Sequence, residues 1–303
     1  METSWGTLSV ADAHVHFFSH RFFAALAEQK KVDPSALGPM LEWQLPPEDP
    51  ERLAEAWIQE LDRRGVDRAA LIASVPGDDA SVAAAVRKYP LRFCGLTMVN
   101  PANPHAAPAI EKALGEGHIR GLCFFPAMHG YSIQDDRARA LLDLVAAHPP
   151  TIAFVHCGVL SVGIRKKLGL PSLFDMRFSN PIDLHAIALR YPRVRFVVPH
   201  FGAGYFREAL MLCDLCSNVY LDTSSSNSWM RYQDGHTDLR TVFQRALEVA
   251  GPHRLLFGTD SSFFPRGWNS AVFEAQSKAL YEIGIPAETA RLIFHDNLVQ
   301  LFS

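Results

Sequence analysis

Two histidines, His14 and His16, stand in the stretch Asp12-Ala13-His14-Val15-His16 near the start of the chain. The stretch is apolar and strand-like, and side chains two residues apart on a strand share a face. The two imidazoles are therefore expected to lie side by side, where neutral imidazole is a ligand for zinc, iron, nickel or copper. On spacing alone, a pair of ordinary polar core residues is an equally good interpretation.

Three more metal-competent side chains, His156, His200 and Asp260, each follow a short apolar run later in the chain. A lone histidine is more often a packed or surface residue than a ligand. Here, however, all three would lie at the carboxyl ends of strands, where barrel enzymes assemble their active sites. This shared position favours one functional site over five unrelated polar residues.

The elements that would position these residues alternate regularly along the chain. Apolar runs predict strands at residues 8–17, 68–74, 93–100, 119–126, 151–158, 195–202, 219–224 and 255–261. Helical patterns follow at residues 50–64, 79–89, 104–116, 135–148, 181–191, 204–216, 238–250 and 269–284, and a last helix at 286–302. Eight strand–helix units without a composition break predict a single-domain (β/α)8 TIM barrel over residues 1–303. A doubly wound open sheet is the alternative, although no G-x-G-x-x-G follows the first strand.

Two connections are too long for tight strand–helix loops, namely residues 18–49 after the first strand and 159–180 after the fifth. Both leave from the carboxyl ends of strands, which form the active face of a barrel. They are interpreted as insertions that either cover the site or mediate subunit contacts.

The composition and charge of the chain exclude several classes of protein. The chain is 48% hydrophobic and 20% charged, with a formal net charge of −3, so no global field attracts nucleic acid or an anionic membrane. There is no secretory leader pattern and no apolar run of about 20 residues that could span a bilayer, which predicts a cytoplasmic enzyme. Five cysteines, an odd number, indicate reduced thiols, and Cys213 and Cys216 are predicted to be buried helix residues.

Five segments resemble the amidohydrolase superfamily: D-A-H-V-H-F, F-V-H-C-G, V-P-H-F-G, F-G-T-D-S and the closing I-F-H-D-N-L-V-Q-L-F. The chain is most similar to the amidohydrolase-related (amidohydrolase 2) group, which includes aminocarboxymuconate-semialdehyde decarboxylase, resorcylate decarboxylases and several lactone hydrolases. The resemblance implies that a divalent metal is bound by His14, His16, His156 and Asp260. It also implies that His200 stands beside the metal-bound water.

This ligand set matches a catalytic site, because three imidazoles and one carboxylate leave an open position for water. A divalent cation lowers the pKa of such water towards about 7, and Asp260 and His200 are the expected catalytic groups. Asp12 either fixes an imidazole tautomer or caps the strand. Zinc is the favoured metal, with manganese or iron as alternatives. Strand four, residues 121–126, has neither the Lys nor the Glu that bridges two metals in binuclear members, so one metal per chain is predicted.

Substrate contacts are less specific in the sequence. Arg165, Arg177 and Arg266 lie in or near the loops of the active face and are candidates for binding a carboxylate, with surface solvation as the alternative. Trp229, after the polar run of residues 224–228, is a candidate aromatic wall. A plain turn explains that run equally well.

The predicted activity is therefore metal-dependent hydrolysis of a small carboxylated ester, lactone or amide. Decarboxylation of an aromatic or muconate-type acid is the alternative, since the same ligands serve both reactions. A catalytically inactive binding barrel is a third hypothesis. It does not explain why the chain has all five site residues. A small-molecule substrate and a homodimer are expected, with neither nucleic acid nor membrane as a partner.

Overall fold

A computed structural model of the chain, describing residues 1–224 and 228–303, contains eight parallel strands that alternate with helices. The predicted TIM barrel is confirmed. The strands are β1 (Ala11–Phe17), β2 (Arg68–Ala73), β3 (Phe93–Val99), β4 (Ile119–Phe124), β5 (Ile152–Val155), β6 (Arg195–Val198), β7 (Val219–Asp222) and β8 (Leu255–Leu256). A short hairpin of Glu2–Thr3 and Gly6–Thr7 precedes them.

Fourteen α-helical segments occur in the described parts of the chain. They are α1 (His20–Lys30), α2 (Leu37–Leu41), α3 (Pro50–Arg64), α4 (Asp79–Lys88), α5 (Ala106–Gly115), α6 (Pro126–His129), α7 (Asp136–Ala147), α8 (Gly163–Lys167), α9 (His185–Arg190), α10 (Phe206–Leu215), α11 (Leu239–Ala250), α12 (Ser270–Glu282), α13 (Ala287–Arg291) and α14 (Asn297–Leu301). None of the helices described here is long and apolar enough to cross a membrane.

Several predicted elements differ from the observed ones, among them the sixth and eighth strands and the final helix. The sixth strand ends at Val198, and the next residues form a tight turn in which His200 has a φ of 56°. The eighth strand covers only Leu255–Leu256, and Asp260 beyond it has a φ of 57°. The final helix is interrupted by a π-helical turn at Leu292–Asp296. The strands are shorter than hydrophobicity suggests because their ends bend to aim side chains at the mouth of the barrel.

Three groups of buried apolar residues fill the molecule. One lies inside the barrel and includes Ala70, Leu96 and Phe154. A larger one lies between the strands and the surrounding helices. The third joins the two insertions, since Phe22 and Leu26 of α1 belong to the same buried cluster as Ile164 of α8. The insertions therefore pack on each other.

The five cysteines are free thiols, as predicted. Cys213 lies in α10 and Cys216 directly follows it, and both are buried. Burial raises the pKa of the Cys213 thiol to about 12. The C-x-x-C pair is therefore part of the packing between helix and barrel, and its thiols are held in the unreactive protonated form.

The barrel closes between its first and last strands. The N–H of Ala13 donates to the carbonyl of Phe257 at 2.8 Å, the N–H of Asp260 donates to His14 at 3.0 Å, and the N–H of His16 donates to Ser261 at 2.7 Å. These bonds join β1 to the segment that follows β8. We call this contact the closing seam.

The Asp12 carboxylate lies inside the closing seam and is fully buried. It accepts hydrogen bonds from the N–H of His14 at 2.9 Å, the N–H of Thr259 at 3.1 Å and the indole of Trp268 at 2.7 Å, and a further one from the Thr259 hydroxyl. Burial raises the pKa of this carboxyl to about 6, although its hydrogen bonds oppose the rise. Asp12 thus ties β1 to the segment after β8.

Replacing Asp12 with Ala leaves four buried donors without their acceptor. We expect the free energy of unfolding to fall by roughly 3–5 kcal/mol, measured by urea denaturation. The control is Asp62→Ala, which removes a carboxylate that is 58% exposed and paired with Arg92 at 2.7 Å. This change is expected to cost about 0.5 kcal/mol. Equal effects of the two substitutions would contradict the role of Asp12 in closure.

Candidate active site

A β-bulge in β1 aims both histidines of the first motif at the mouth of the barrel. Asp12 pairs with Ala69 of β2 but Val15 pairs with Leu71, so the register shifts by one residue between them. Bulges re-aim side chains and are common beside active sites. Val15 packs in the outer core, and His14 and His16 line the cavity at the carboxyl end of the barrel.

His14, His16 and Asp260 meet at one point. The two Nε2 atoms are 3.3 Å apart, and Oδ1 of Asp260 lies 3.1 Å from Nε2 of His16 and 3.7 Å from Nε2 of His14. One ligand atom from each residue falls within 4.8 Å of the other two. The structure therefore brings together three of the four predicted metal ligands.

His14 is oriented by a carboxylate that the sequence analysis did not single out. Its Nδ1 lies 2.6 Å from Oδ2 of Asp222, which is fully buried at the end of β7. Burial alone would raise the pKa of the Asp222 carboxyl, but the His14 ring, His200 and the N–H of Ser224 together hold that pKa below its usual value. An ionised carboxylate only accepts hydrogen bonds, so Nδ1 of His14 carries the proton and Nε2 presents its lone pair.

Asp12 does not contact an imidazole side chain, so the proposed role of fixing a tautomer belongs to Asp222. The reason is the bulge, which turns Asp12 towards Thr259 and Trp268 on the outer side of the barrel. The other site residues were predicted from polar side chains at the ends of strands. Asp222 ends β7, so the same criterion applies to it.

The tautomer of His16 is also determined by its partner. Nδ1 of His16 lies 2.7 Å from Oγ of Ser74, and this hydroxyl donates its own proton to the carbonyl of Ile72 at 3.0 Å. Ser74 can therefore only accept from His16, which places the proton of His16 on Nδ1. Burial lowers the pKa of His16. A neutral His16 thus directs the lone pair of Nε2 at the same point as His14.

This arrangement requires a positive charge at its centre. Two lone pairs 3.3 Å apart beside a carboxylate repel one another unless a cation or a proton lies between them. Burial lowers the pKa of His14, but Asp222 and Asp260 more than compensate and raise it to about 9. The donor set of imidazoles and a carboxylate therefore fits a divalent cation, and a proton takes its place when no cation is bound.

His200 stands next to this trio, with its ring centroid 5.0 Å from that of His14. Its Nδ1 lies 2.7 Å from the carbonyl oxygen of Ser224, which can only accept a hydrogen bond. Burial lowers the pKa of His200, so the ring is neutral and its Nε2 is an acceptor. Its left-handed backbone is a conformation that a non-glycine residue adopts only when its surroundings enforce it.

Asp260 also has a left-handed backbone, and its side chain lines the cavity with 39% of its surface exposed. Burial would raise the pKa of its carboxyl, but the hydrogen bond to His16 and the neighbouring imidazoles hold that pKa well below its usual value. Asp260 is therefore an ionised carboxylate with one oxygen towards His14 and His16.

His156, the fourth predicted ligand, is buried beside the trio. Its ring stacks on Phe125 with centroids 5.3 Å apart and lies 5.4 Å from the ring of His200. Nδ1 of His156 is buried and has no hydrogen-bond partner within residues 1–224 and 228–303. Burial lowers the pKa of His156 well below its usual value, which makes it a neutral imidazole with an unsatisfied nitrogen. Its role as a ligand stays a prediction.

A cavity of about 530 Å³ opens above these residues. Its lining includes several aromatic side chains, and two of these, Trp43 and Phe263, stack on each other with ring centroids 3.7 Å apart. Lys167 lies over the Trp43 ring at 5.5 Å and Arg266 lies over the Phe263 ring at 4.5 Å. We call this arrangement the capped stack, and it joins both insertions to the loop after β8.

The predicted substrate residues divide into two pairs. Arg266 and Trp229 line the cavity. Arg165 instead bonds Gln29 and the carbonyl of Pro171, and Arg177 is 83% exposed and paired with Asp175, so neither lines it. The cations that sequence reasoning missed are Lys167 and Arg231. Of the predicted polar run, residues 225–227 lie outside the described part of the chain.

The pKa of His14 has a consequence that can be measured in chelator-treated protein. Because the folded-state pKa is raised above the unfolded value of about 6.5, the stabilisation is complete below that value. It is lost as the pH rises through about 9. Asp222→Asn removes the Asp222 charge and should lower the pKa of His14. The free energy of unfolding of this variant should therefore fall less between pH 6 and pH 10 than that of the wild type. Urea denaturation between pH 6 and pH 10 measures it, and equal slopes for both proteins would contradict the His14–Asp222 assignment.

A family described as amidohydrolase has a sequence model that matches residues 11–302 of this chain. Among curated proteins, the protein fluG of Emericella nidulans is 37% identical over 87 residues, which are 29% of this chain. The match spans only 10% of the length of that relative.

Solved structures share the fold at low sequence identity. One is 5-carboxyvanillate decarboxylase LigW from Sphingomonas paucimobilis, with a TM-score of 0.66 and 16% identity, over 98% of this chain and 99% of that one. Another is a probable 2-pyrone-4,6-dicarboxylic acid hydrolase from Acinetobacter baumannii, with a TM-score of 0.62 and 15% identity, over 97% and 99%. A third is 5-carboxyvanillate decarboxylase from Novosphingobium aromaticivorans complexed with manganese, with a TM-score of 0.63 and 16% identity, over 99% and 97%.

Proposed function

The chain belongs to the amidohydrolase family of enzymes, and from this premise we propose that it is a metal-dependent hydrolase. Its substrate in this proposal is a small carboxylated ester, lactone or amide. The observation that carries the proposal is a pair of proton acceptors beside the trio of His14, His16 and Asp260. These acceptors are the Asp260 carboxylate and the neutral His200, and both line the cavity.

The pair suits the activation of water. The second oxygen of Asp260 accepts a proton from a water molecule next to the trio, while Nε2 of His200 accepts a hydrogen bond from the same molecule. Asp222 keeps His14 in its orientation and Ser74 does the same for His16. After attack on a carbonyl carbon, the proton collected by Asp260 is available for the leaving oxygen or nitrogen.

The proposed cofactor is one divalent metal ion held by His14, His16 and Asp260, with His156 as the fourth ligand. Zinc is the first choice and manganese or iron the alternatives, since imidazole with carboxylate suits all three. When bound, such an ion supplies Lewis-acid activation of water and of a substrate carbonyl. Phe124 and Phe125 follow Cys123 at the end of β4, so no bridging carboxylate or lysine stands there for a second ion.

The charge at the cavity mouth supports a carboxylated substrate. Lys167, Arg231 and Arg266 line the cavity, and none of them forms a salt bridge with a carboxylate within the described ranges. Cations that lack a carboxylate partner and lie beside aromatic side chains favour a planar molecule that carries a carboxylate. The substrate is proposed to place its carboxylate at these cations and its scissile bond at Asp260.

Decarboxylation of an aromatic acid is the second candidate, and the carbon-rich walls of the cavity favour it. Phe18, Phe22, Trp43, Met98 and Phe125 line the space next to the trio. Apolar surroundings solvate a carboxylate poorly, and departure of carbon dioxide disperses its charge. The two reactions differ in product, so they are separated by product analysis.

Metal content tests the cofactor. Protein purified without added metal or chelator is expected to contain about one zinc, manganese or iron ion per chain by mass spectrometry. His14→Ala/His16→Ala should lose it, because two of the ligands are gone. The matched control is His105→Ala/His236→Ala, which removes two exposed imidazoles and should retain the metal. Folded wild-type protein free of metal would contradict the proposed cofactor.

Activity tests the reaction. Assayed on carboxylated lactones and aryl esters in ¹⁸O-labelled water, the enzyme should incorporate the label into the acid product without releasing carbon dioxide. Asp260→Asn is expected to lower kcat/KM by about a thousandfold or more, because the water loses its proton acceptor. Arg177→Ala, an exposed position outside the cavity, is the control and should behave like wild type. Carbon dioxide formed in proportion to product would establish decarboxylation instead.

A further inference from the structure

A second cavity of about 380 Å³ lies beside the first, beneath the two insertions. Its lining includes Phe22 and Leu26 of α1 and Ile164, Pro171 and Phe174 of the second insertion. These side chains present carbon atoms almost exclusively. The one charged side chain among the described lining residues is Arg165, whose guanidinium is hydrogen-bonded to the neutral acceptors Gln29 and Pro171, so the rest of the lining suits an uncharged group.

The two cavities share a wall. Phe22, Ser74, Met98, Met128 and Ile164 line both of them. Ser74 lies 2.7 Å from His16, so the shared wall starts within one hydrogen bond of the proposed metal site. The two methionines have flexible, polarizable thioethers that adapt to the shape of a bound group. A molecule bound at Asp260 therefore reaches the second cavity past side chains that can move.

The few polar groups of the second cavity are almost all satisfied. Ser74 is bonded to His16 and Ile72, and the guanidinium of Arg165 donates to Gln29 at 2.7 Å and to Pro171 at 2.6 Å. The exception is Nδ1 of His129, which is buried and has no partner in the described chain. Burial lowers the pKa of His129 to about 4, so its ring is neutral. The lining of the second cavity therefore offers a ligand apolar contacts and at most one hydrogen bond, at Nδ1 of His129.

The rim of this cavity points to the same ligand chemistry. Leu173 lies on the rim and is 88% exposed, although it is a large apolar side chain. An exposed leucine is unremarkable by itself, but this one continues an apolar cavity to the surface. The apolar lining therefore extends from the neighbourhood of His16 to solvent.

We infer that the second cavity binds an apolar alkyl or aryl substituent of the substrate. This inference rests on the proposed function and specifies its substrate class: a carboxylated ester, lactone or amide that also carries an apolar arm. The carboxylate contacts Lys167 and Arg266 at the mouth of the first cavity, and the arm passes Met98 and Met128 into the second. The selectivity for this arm lies in α1 of the first insertion and in the second insertion.

Binding of product-like acids tests the inference without requiring turnover. The probes are phenylacetate, phenylpropionate, phenylbutyrate, phenylvalerate and phenylhexanoate, titrated by calorimetry into the purified enzyme. In wild type, Kd is expected to fall by about fourfold for each methylene that enters the cavity, until the cavity is full. Ala25→Trp fills the second cavity, since Ala25 lines it, and should abolish this dependence.

Ala24→Trp is the matched control, because Ala24 is the adjacent residue of α1 and lines neither cavity. It should keep the wild-type dependence on chain length. Leu173→Glu is a second variant at an exposed position that folding does not require, and it should weaken the longest acids most. A Kd that is independent of length in wild type, or equal length dependence in Ala25→Trp and Ala24→Trp, overturns the inference.

The outcome is separable from that of the proposed function. If the length dependence is present but neither metal nor hydrolysis is found, the cavity assignment stands and the reaction is wrong. If short carboxylated lactones are hydrolysed but binding does not depend on length, the reaction stands and the inference is overturned.

Discussion

Closure of the barrel between its first and last strands is the constraint on which the site depends. His14 and His16 come from β1 and Asp260 from the segment after β8, so the trio exists only where these ends of the barrel meet. The buried Asp12 carboxylate holds this seam by accepting hydrogen bonds from both sides. The backbone bond from Asp260 to His14 sets the two ligands at adjacent positions. The same contacts therefore close the fold and assemble the site.

Within the seam, the direction of each hydrogen bond determines what the site can bind. The Asp222 carboxylate can only accept a hydrogen bond from His14. The Ser74 hydroxyl has already donated its proton to Ile72 and can only accept from His16, so both rings direct the lone pairs of their Nε2 atoms inward. The backbone carbonyl that accepts from His200 does the same for this third ring. Acceptors gathered around one point make the site suited to a cation and to removing protons from water. Left-handed backbone at His200 and Asp260 is the conformational cost of this arrangement.

Both insertions line the cavity above that point. Because Phe22 and Ile164 belong to one buried cluster, the two insertions act as a single cover over the mouth of the barrel. The capped stack ties this cover to the loop after β8. In the proposed function the barrel supplies the reaction chemistry, whereas the cover supplies Lys167, aromatic side chains and part of the lining of the second cavity. A mutation in the cover is expected to change substrate preference more than the chemistry beside Asp260.

The sequence by itself determined the barrel, the two insertions and the group His14, His16, His200 and Asp260. Alternating apolar runs specify parallel strands, and parallel strands of one barrel end at one face, so residues far apart in sequence can be assigned to one site. Only the tertiary structure showed the bulge that turns Asp12 away and the pairing of His14 with Asp222 across 208 positions. It also showed that Lys167 and Arg231 line the cavity, whereas the predicted Arg165 and Arg177 do not. The pattern of alternating strands and helices predicts which residues lie at the carboxyl ends of the strands. Which way a long side chain turns there depends on packing with distant segments, and local sequence does not encode that packing.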